Sequence, residues 1–381
     1  DVHPRELVRN LSLSRRQMVE IAKALGRRPK MLILDEATSA LTAADVDKVY
    51  ETLRSLRSQG LSILYISHRM HEIAELADDC SVFRNGRHIQ SFAKGSKTDD
   101  QVVELMIGRE YRHVFPSKPP RNAPIDRPRL QLDRLSWGDR LQDISLSVDK
   151  GEIVGLGGLD GQGQRELLLA LFGVLRGVSG NVRIDGQPVR IGSPRHAKSA
   201  DVGMGLIPED RKTEGLMLPM SVRDNISMAA ISKLSKRLVV DRAAENSHIA
   251  AMVQKLQIKI GSGHDPVATL SGGNQQKVVI GKWLMTNANI VLLNDPTRGI
   301  DVGTKQELYQ LLRDLADAGT AILFYSTDYD ELIGCCDRVA ILYDGRVLRE
   351  LQGAEITERN IIATSLNLPL EGQKAGAGAA A

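Results

Sequence analysis

Two neighbouring carboxylates, Asp35 and Glu36, directly follow the apolar run at residues 31–34. Such a run predicts a buried β-strand, whose carboxyl end delivers both acids to one point. Two acids in this place suit phosphoryl transfer, in which one organises Mg²⁺ and the other polarises the attacking water. A second apolar run, residues 63–66, leads to His68. A histidine at a strand end is more often structural than catalytic, so His68 alone leaves both interpretations open.

A glycine-rich loop follows a third predicted strand, residues 153–156, and precedes a helical pattern. Loop glycines and the first N–H groups of such a helix attract phosphate oxygens. The common phosphate-loop pattern, G-x-x-x-x-G-K-[ST], ends in a lysine for phosphate and a hydroxyl for Mg²⁺. Here Gln164 and Arg165 take those two positions, after Gly158 and Gly163. We expect a loop that holds phosphate but has lost metal placement; a tight strand-to-helix turn without a ligand is the alternative.

A second glycine motif, LSGGNQQ at residues 270–276, predicts a helix start that a ligand can approach closely. Ser271 is a suitable N-cap, and the two glycines after it leave room for the ligand. Downstream, the apolar run at residues 290–293 predicts a strand that ends in Asn294 and Asp295.

The chain contains an internal repeat, because the sequence from Leu11 onward recurs 259 positions later without a gap. One register aligns residues of very different chemistry: Lys23 with Lys282, Thr38 with Thr297, Tyr50 with Tyr309, Gly60 with Gly319, Ser67 with Ser326, Glu72 with Glu331 and Gly86 with Gly345. Such agreement indicates two copies of one domain half. The second copy is preceded by a front half, residues 130 to about 219, that the first copy lacks.

The LSGG motif, the strand after it and the duplicate copy together resemble the ATP-binding cassette (ABC) family. The resemblance implies an α/β fold, the P-loop NTPase of ABC type, with one partial cassette (its C-terminal half) and one complete cassette with a helical signature subdomain. It also implies ATP and Mg²⁺ as cofactors. Glu36 would be the catalytic acid, His68 the switch histidine at the γ-phosphate, and Asp35 an indirect Mg²⁺ ligand. The implied nucleotide-binding residues are Ser271, Gly272, Gly273, Asn274, Gly158, Gly161, Gly163, Gln164 and Arg165.

The two copies have decayed in complementary ways. The second copy replaces both acids and the histidine, with Asn294 for Asp35, Asp295 for Glu36 and Thr327 for His68. It keeps the signature glycines, whereas the first copy has LSLSR at residues 11–15. In the family the cassettes pair head to tail, and each ATP lies between the acids of one and the signature of the other. The resemblance therefore implies one hydrolytic composite site and a second, degenerate site that binds nucleotide at most.

Composition and linker signals set the class and the domain bounds. The formal net charge of +3, from 50 basic and 47 acidic residues, lacks the basic excess of a nucleic-acid binder. Three cysteines, two of them adjacent, form no zinc or disulfide framework, and no apolar run approaches the ~20 residues of a membrane span. A proline-rich stretch, 112–129, predicts an extended linker. We predict that 1–111 is the end of the first cassette, 130–365 the second cassette and 366–381 a flexible tail.

Two further segments, IPEDRK at 207–212 and PTRGIDVG at 296–303, resemble the second cassette of monosaccharide importers for ribose, galactose and xylose. This implies an importer ATPase that lies peripherally at the cytoplasmic face of the inner membrane. Its partners would be membrane permease subunits and, through them, a substrate-binding protein, with no nucleic acid. Gln164 and Arg165 depart from the sugar branch toward the nucleoside-importing branch, which is the alternative.

No phosphate loop precedes Leu11, so the resemblance implies an N-terminally truncated first cassette. We expect this chain alone to hydrolyse ATP poorly, unless a complementary cassette supplies the missing loop. A non-catalytic nucleotide-binding remnant is a further alternative. Twin-cassette proteins of ribosomes or DNA would carry basic arms or zinc cysteines, and the sequence has neither.

Overall fold

The computed structural model describes residues 3–35, 37–38, 41, 43–67, 70–84, 86–107, 115–118, 128–236 and 239–368. The chain divides into two compact units. The first contains Asp1–Val114 with Arg298–Thr304, and the second contains Phe115–Thr297 with Lys305–Ala381. Each unit is described by itself.

The first unit is built from short parallel and antiparallel strand pairs with helices between them. Its elements are α1 (Leu13–Leu25), β1 (Met31–Asp35), α2 (Ala43–Ser58), β2 (Ser62–Ile66), α3 (Met70–Leu76), β3 (Asp79–Arg84), β4 (Arg87–Ala93) and α4 (Asp99–Ile107). Strands β1 and β2 pair in parallel, with Asp35 opposite Ile66, and β3 and β4 form an antiparallel hairpin. Both predicted apolar runs of this copy are thus strands. The first ends at Asp35, and the second ends at Ile66, directly before Ser67.

The core of the first unit lies on one face of β1. Leu32 and Leu34 are buried and pack with Val49 and Leu53 of α2. The alternate residues of the strand are solvent-exposed, so the burial pattern changes at every position. Parallel strands in α/β proteins are usually covered on both faces, which makes this one-sided burial unusual.

The second unit contains the remaining elements. They are β5 (Leu130–Trp137), β6 (Leu141–Val148), β7 (Ile153–Gly157), α5 (Gln164–Leu171), β8 (Ser179–Ile184), β9 (Gln187–Val189), α6 (Pro194–Ala197), β10 (Met204–Ile207), α7 (Val222–Ser227), β11 (Ser235–Lys236), β12 (Val239–Val240), α8 (Arg242–Lys255), α9 (Gly272–Leu284), β13 (Ile290–Asn294), α10 (Val302–Asp317), β14 (Ala321–Tyr325), α11 (Tyr329–Cys335), β15 (Arg338–Tyr343), β16 (Arg346–Gln352) and α12 (Glu358–Ser365). A π-helical turn, Arg211–Gly215, follows β10.

Two sheets and one helix form the main core of the second unit. The larger sheet has the order β10-β13-β14-β7-β15-β16, parallel except for the final pair, and the smaller antiparallel sheet has the order β6-β5-β8-β9. Helix α5 contributes Leu167, Leu168 and Leu171 to the core that the two sheets share. Every residue of β7, β13 and β14 is buried, as expected for central parallel strands.

The start of the predicted linker packs on the second unit. Phe115 stacks on Tyr309 with a centroid distance of 5.0 Å. The Nζ of Lys118 donates to the carbonyl oxygens of Ile333 at 2.5 Å and Cys336 at 2.6 Å, at the C-terminal end of α11. Cations suit this end of a helix, where carbonyl groups lack partners.

The predicted domain bounds remain predictions. Most of the predicted linker and most of the predicted tail lie outside the described residues.

Candidate nucleotide-binding and catalytic sites

The glycine-rich loop joins β7, a central strand of the large sheet, to the N-terminus of α5. Gly158 and Gly163 both have left-handed backbone angles, with φ of 125° and 109°. A side chain at Gly158 would also collide with the carbonyl oxygen of Leu342 and with Gln164. Glycine is therefore required for the backbone path and for the space around it. The loop thus has the strand–loop–helix form of a phosphate cradle.

Gln164 folds back into the loop that precedes it. The side chain is only 1% exposed, and its Nε2 donates to the carbonyl oxygens of Gly157 at 3.2 Å and Leu159 at 3.1 Å. Within the described part of the chain, its Oε1 has no hydrogen-bond partner. A neutral amide in this place brings no positive charge to a phosphate, unlike the lysine of the usual pattern.

Two guanidinium groups flank the same loop. Arg165 forms an ion pair with Glu214 of the π-helical turn, at 2.9 Å, and Arg140 donates to the carbonyl oxygen of Gly161 at 3.4 Å. Arg165 stands where a Mg²⁺-binding hydroxyl would be expected, and a cation cannot be a metal ligand. The loop can attract phosphate through arginine, but its donor set does not fit Mg²⁺.

The second-copy strand β13 ends in Asn294 and Asp295, both 3% exposed. Asn294 is neutral, and its Oδ1 lacks a hydrogen-bond partner among the described residues. Asp295 has a left-handed φ of 46°, which is uncommon outside glycine, and it accepts a hydrogen bond from Thr327 at 2.8 Å. The structure thus joins two of the three residues predicted for the degenerate site, Asp295 and Thr327.

The signature residues lie at the N-terminus of α9. Ser271 is at the N-cap position, but its hydroxyl makes no capping hydrogen bond, so the predicted capping role of this side chain is wrong. The hydroxyl instead accepts from Asn274 Nδ2 at 3.0 Å, and Asn274 Oδ1 accepts from the backbone of Lys259 at 2.9 Å. The competing asparagine leaves the first N–H groups of this 13-residue helix without a side-chain cap, which suits an anionic ligand.

The equivalent segment of the first copy is closed by its own side chains. Ser12 caps α1 by accepting from the backbone of Arg15 at 3.4 Å. Arg16 donates to the carbonyl oxygens of Leu11 and Arg9, both at 2.9 Å. No glycine opens this helix start to a ligand, and the loss of the first signature stays a prediction.

Of the three hydrolytic residues predicted in the first copy, the structure describes Asp35 at the end of β1. Glu36 and His68 lie outside the described residues. Asp35 is a carboxylate at the carboxyl end of a strand, a donor that fits an indirect Mg²⁺ role. Among the described residues there is no cluster of three or more groups able to hold a metal ion by themselves.

Sequence reasoning missed two buried glutamates, Glu72 and Glu331, each 1% exposed. Glu72 binds the segment after β1 to the segment after β2. Glu331 binds the segment after β13 to the segment after β14. Their identity in both copies of the repeat was the signal that could have found them.

Comparisons with known proteins agree with this fold. The ABC transporter family profile matches residues 141–298. A nucleotide-free ATP-binding cassette from an ABC transporter superimposes with a TM-score of 0.54 at 20% identity, covering 64% of this chain and 96% of that one. The ADP conformation of MJ1267, another ABC cassette, gives a TM-score of 0.54 at 19% identity over 63% and 97%. These likenesses confirm the predicted α/β fold, the P-loop NTPase of ABC type.

Closer relatives are found among bacterial transport proteins. "Ribose import ATP-binding protein RbsA 1" of Mesorhizobium japonicum is 68% identical over 381 residues, which is 100% of this chain and 74% of the relative. The protein of the same name from Rhizobium etli is 64% identical over 97% of this chain and 72% of its own length. The chain belongs to the family of ribose import ATP-binding proteins, which are ABC-type ATPases. As for membrane spans, the helices in the described parts of the chain are all too short or too polar to cross a bilayer.

Proposed function

We propose that this chain is the ATP-binding and ATP-hydrolysing component of an ABC importer for a simple sugar. The observation that carries the proposal is the complementary decay of the two copies, in which the acids and histidine persist in one copy and the glycine signature in the other. The relatives' names specify ribose import, which supports a sugar as the transported substrate. ATP hydrolysis would drive movement of the permease.

The proposed hydrolytic site is composite. Glu36 would polarise the attacking water, His68 would contact the γ-phosphate, and Asp35 would hold Mg²⁺ indirectly. The second cassette contributes the uncapped start of α9, where Ser271, Gly272, Gly273 and Asn274 would bind the nucleotide. Bound Mg²⁺ neutralises charge on the transferring phosphoryl group.

The other site would bind nucleotide without turning it over. Gly158, Gly161 and Gly163 shape a loop for phosphate, while Gln164 and Arg165 replace the lysine and hydroxyl of an active loop. The acids opposite are reduced to Asn294 and Asp295, and Thr327 takes the place of the histidine.

We also propose that the first cassette requires a complementary front half. Five large apolar residues on the strands of the first unit are exposed, and 259 positions later each has a counterpart in the buried core of the second unit. The pairs are Met31 with Ile290, Ile33 with Leu292, Leu64 with Leu323, Ile66 with Tyr325 and Phe83 with Leu342. In the second unit these positions are covered by β5, β6, β7 and α5.

Sheet topology supports the same proposal. In the second unit, β7 lies between β14 and β15 and leads into the phosphate loop. Among the described residues of the first unit, β1–β2 and β3–β4 form separate two-stranded sheets, as they would if such a central strand were absent between them. A complementary cassette front half would add that strand and its loop beside Asp35, so we expect weak ATPase activity from the chain alone.

The proposed partners are membrane permease subunits and, through them, a substrate-binding protein. The chain would lie peripherally at the cytoplasmic face of the inner membrane. The nucleoside-importing branch is the second candidate, favoured by Gln164 and Arg165 in the second phosphate loop. Equilibrium binding of radiolabelled ribose and a nucleoside by the purified transport complex would separate the two.

ATP turnover tests the hydrolytic proposal. The purified 381-residue chain is compared with a completed chain, which has a cassette front half fused ahead of residue 1. That front half is taken from the part of the Mesorhizobium relative that has no counterpart in this chain. We expect turnover in the completed chain at least about 10-fold above that of the chain alone. Glu36→Gln should abolish turnover in the completed chain, whereas the matched change Asp295→Asn should retain it. Equal turnover by both chains, or turnover that survives Glu36→Gln, would overturn the proposal.

A further inference from the structure

A buried carboxylate joins two functional segments in the first copy. Glu72, near the start of α3, accepts hydrogen bonds from Thr38 at 2.5 Å and Ser67 at 2.5 Å. Tyr65 of β2 donates to the same carboxylate at 3.0 Å. Along the chain, Thr38 lies two residues after Glu36, and Ser67 immediately precedes His68. One carboxylate therefore binds both segments that carry the predicted catalytic pair.

The second copy repeats the threonine and serine contacts of this arrangement at the corresponding positions, whereas Phe324 replaces Tyr65. Glu331 accepts from Thr297 at 2.8 Å and from Ser326 at 2.7 Å. It also accepts from Tyr309 at 2.8 Å and Lys305 at 2.8 Å. The hydroxyls from Thr297 and Ser326 are the equivalents of those in the first copy, so two diverged copies have kept one buried network.

The consequence of this network can be measured directly in the second copy. Thr297 lies two residues after Asp295, and Ser326 immediately precedes Thr327. With both segments bound to Glu331, the side chains of Asp295 and Thr327 are in hydrogen-bond contact at 2.8 Å. The network therefore holds the residues after β13 and the residues after β14 at a fixed separation.

We propose that Glu72 is a positioning residue of the hydrolytic site. It holds the segments after β1 and β2 at the separation that Glu36 needs to activate water and His68 needs to contact the γ-phosphate. The proposal rests on the proposed function for the identity of that pair. Glu72 itself contacts neither nucleotide nor water in this scheme and acts through Thr38 and Ser67.

The two copies differ at the position of one lysine. Lys305 forms an ion pair with Glu331, whereas Val46 occupies the equivalent position in the first copy. Burial raises the pKa of Tyr65, and the Glu72 carboxylate raises it further. Because Thr38 and Ser67 both donate to the Glu72 carboxylate, a neutral substitute at Glu72 should loosen both segments at once.

Hydrogen exchange on the 381-residue chain tests the positioning role directly. In Glu72→Gln we expect amide exchange to rise at least about 10-fold in the peptides containing Thr38 and Ser67 together. Glu72→Asp, which keeps the charge, should give a smaller rise in both. The matched variant Glu331→Gln should leave those peptides unchanged and loosen the peptides containing Thr297 and Ser326. A rise in only one segment, or in neither, overturns the proposal.

Turnover by the completed chain gives a readout that loss of stability alone would not produce. We expect Glu72→Gln to lower kcat at least about 10-fold while KM for ATP stays within about twofold, and Glu72→Asp to restore part of kcat. Glu331→Gln should cost far less. Wild-type kcat in Glu72→Gln overturns the proposal. If the completed parent chain hydrolyses no ATP, the proposed function fails, and the exchange measurement still decides whether Glu72 positions both segments.

Discussion

Two side chains, Gln164 and Arg165, separate the second phosphate loop from the common phosphate-loop pattern. Gln164 is folded onto the loop carbonyls and Arg165 is paired with Glu214, so neither side chain can play the part of lysine or Mg²⁺ ligand. The backbone path is nonetheless that of a phosphate cradle, because glycine is retained where the backbone angles demand it. The proposed loss of catalytic function at this loop would therefore follow from two side chains and not from the fold.

Restoring these two side chains should restore metal-dependent binding. We predict that Gln164→Lys with Arg165→Thr raises the affinity for ATP at least about 10-fold in the presence of Mg²⁺, because a cation again faces the phosphates and a hydroxyl can bind the metal. Isothermal titration calorimetry with Mg²⁺ and with EDTA would measure it. The control Arg165→Thr alone should lack the gain. Equal affinity with Mg²⁺ and EDTA in the double variant would contradict the prediction.

A buried lysine should make the free energy of unfolding of the second unit increase with pH in the alkaline range. Burial lowers the pKa of Lys282 from 10.5 to about 8, and its Nζ donates to the carbonyl oxygen of Gly215. Between these two pKa values the unfolded chain binds more protons than the folded chain. The free energy of unfolding at this site therefore rises from pH 8 to 10.5, by about 3 kcal/mol in all.

Replacement of this lysine should remove that gradient. In Lys282→Met, the free energy of unfolding from urea titrations should rise less between pH 8 and 10 than in the parent, because other ionising groups are common to both. Lys23→Met at the equivalent, exposed position of the first copy is the matched control and should leave the gradient intact. Parallel pH curves for Lys282→Met and the parent would show that this lysine is not the cause.

Helix α11 and the start of the linker depend on one close contact. A Cβ at Gly334 would collide with the ring of Phe115, which is held on Tyr309. We predict that Gly334→Ala destabilises the second unit and that Phe115→Ala removes most of this cost, giving a coupling energy above about 0.5 kcal/mol in a double-mutant cycle. Urea unfolding of the four chains would measure it. Strict additivity would mean that the linker start does not occupy this position in solution.

The elements differ in how far the sequence could predict them. Strands β1, β2 and β13 were predictable because each is an apolar run followed by polar residues. Strand β7 and the glycine loop were predictable because an apolar run leads into closely spaced glycines. Three features were not predictable from the sequence: the inward fold of the Gln164 side chain, the hydrogen bond from Asn274 to the Ser271 hydroxyl, and the contacts of the buried glutamates. Each depends on partners brought together by the tertiary fold, and a one-dimensional pattern does not specify which side chain wins a shared hydrogen bond.

At the scale of the whole molecule, the two copies differ in how completely they bury equivalent residues. Ile33 of β1 is 60% exposed, whereas Leu292, its counterpart in β13, is fully buried. The repeat therefore provides an internal comparison in which the strand and its register with the following strand are alike, whereas the second neighbouring strand and the covering layer are described only in the second unit. Burial determines the cost of truncating an apolar side chain, so the same mutation should have different effects in the two units.

This difference gives a test of the proposed front half at the level of stability. We predict that Ile33→Ala changes the free energy of unfolding of the first unit by less than about 0.5 kcal/mol in the 381-residue chain. In the completed chain the same change should cost about 3 kcal/mol, because the front half then buries Ile33 as the second unit buries Leu292. The matched variant Leu292→Ala should cost about 3 kcal/mol in both chains. Urea unfolding followed by hydrogen exchange would assign each transition to its unit. An Ile33→Ala cost that is equally small in the completed chain would mean that the added front half does not cover β1, and the proposed completion of the first cassette would then be wrong.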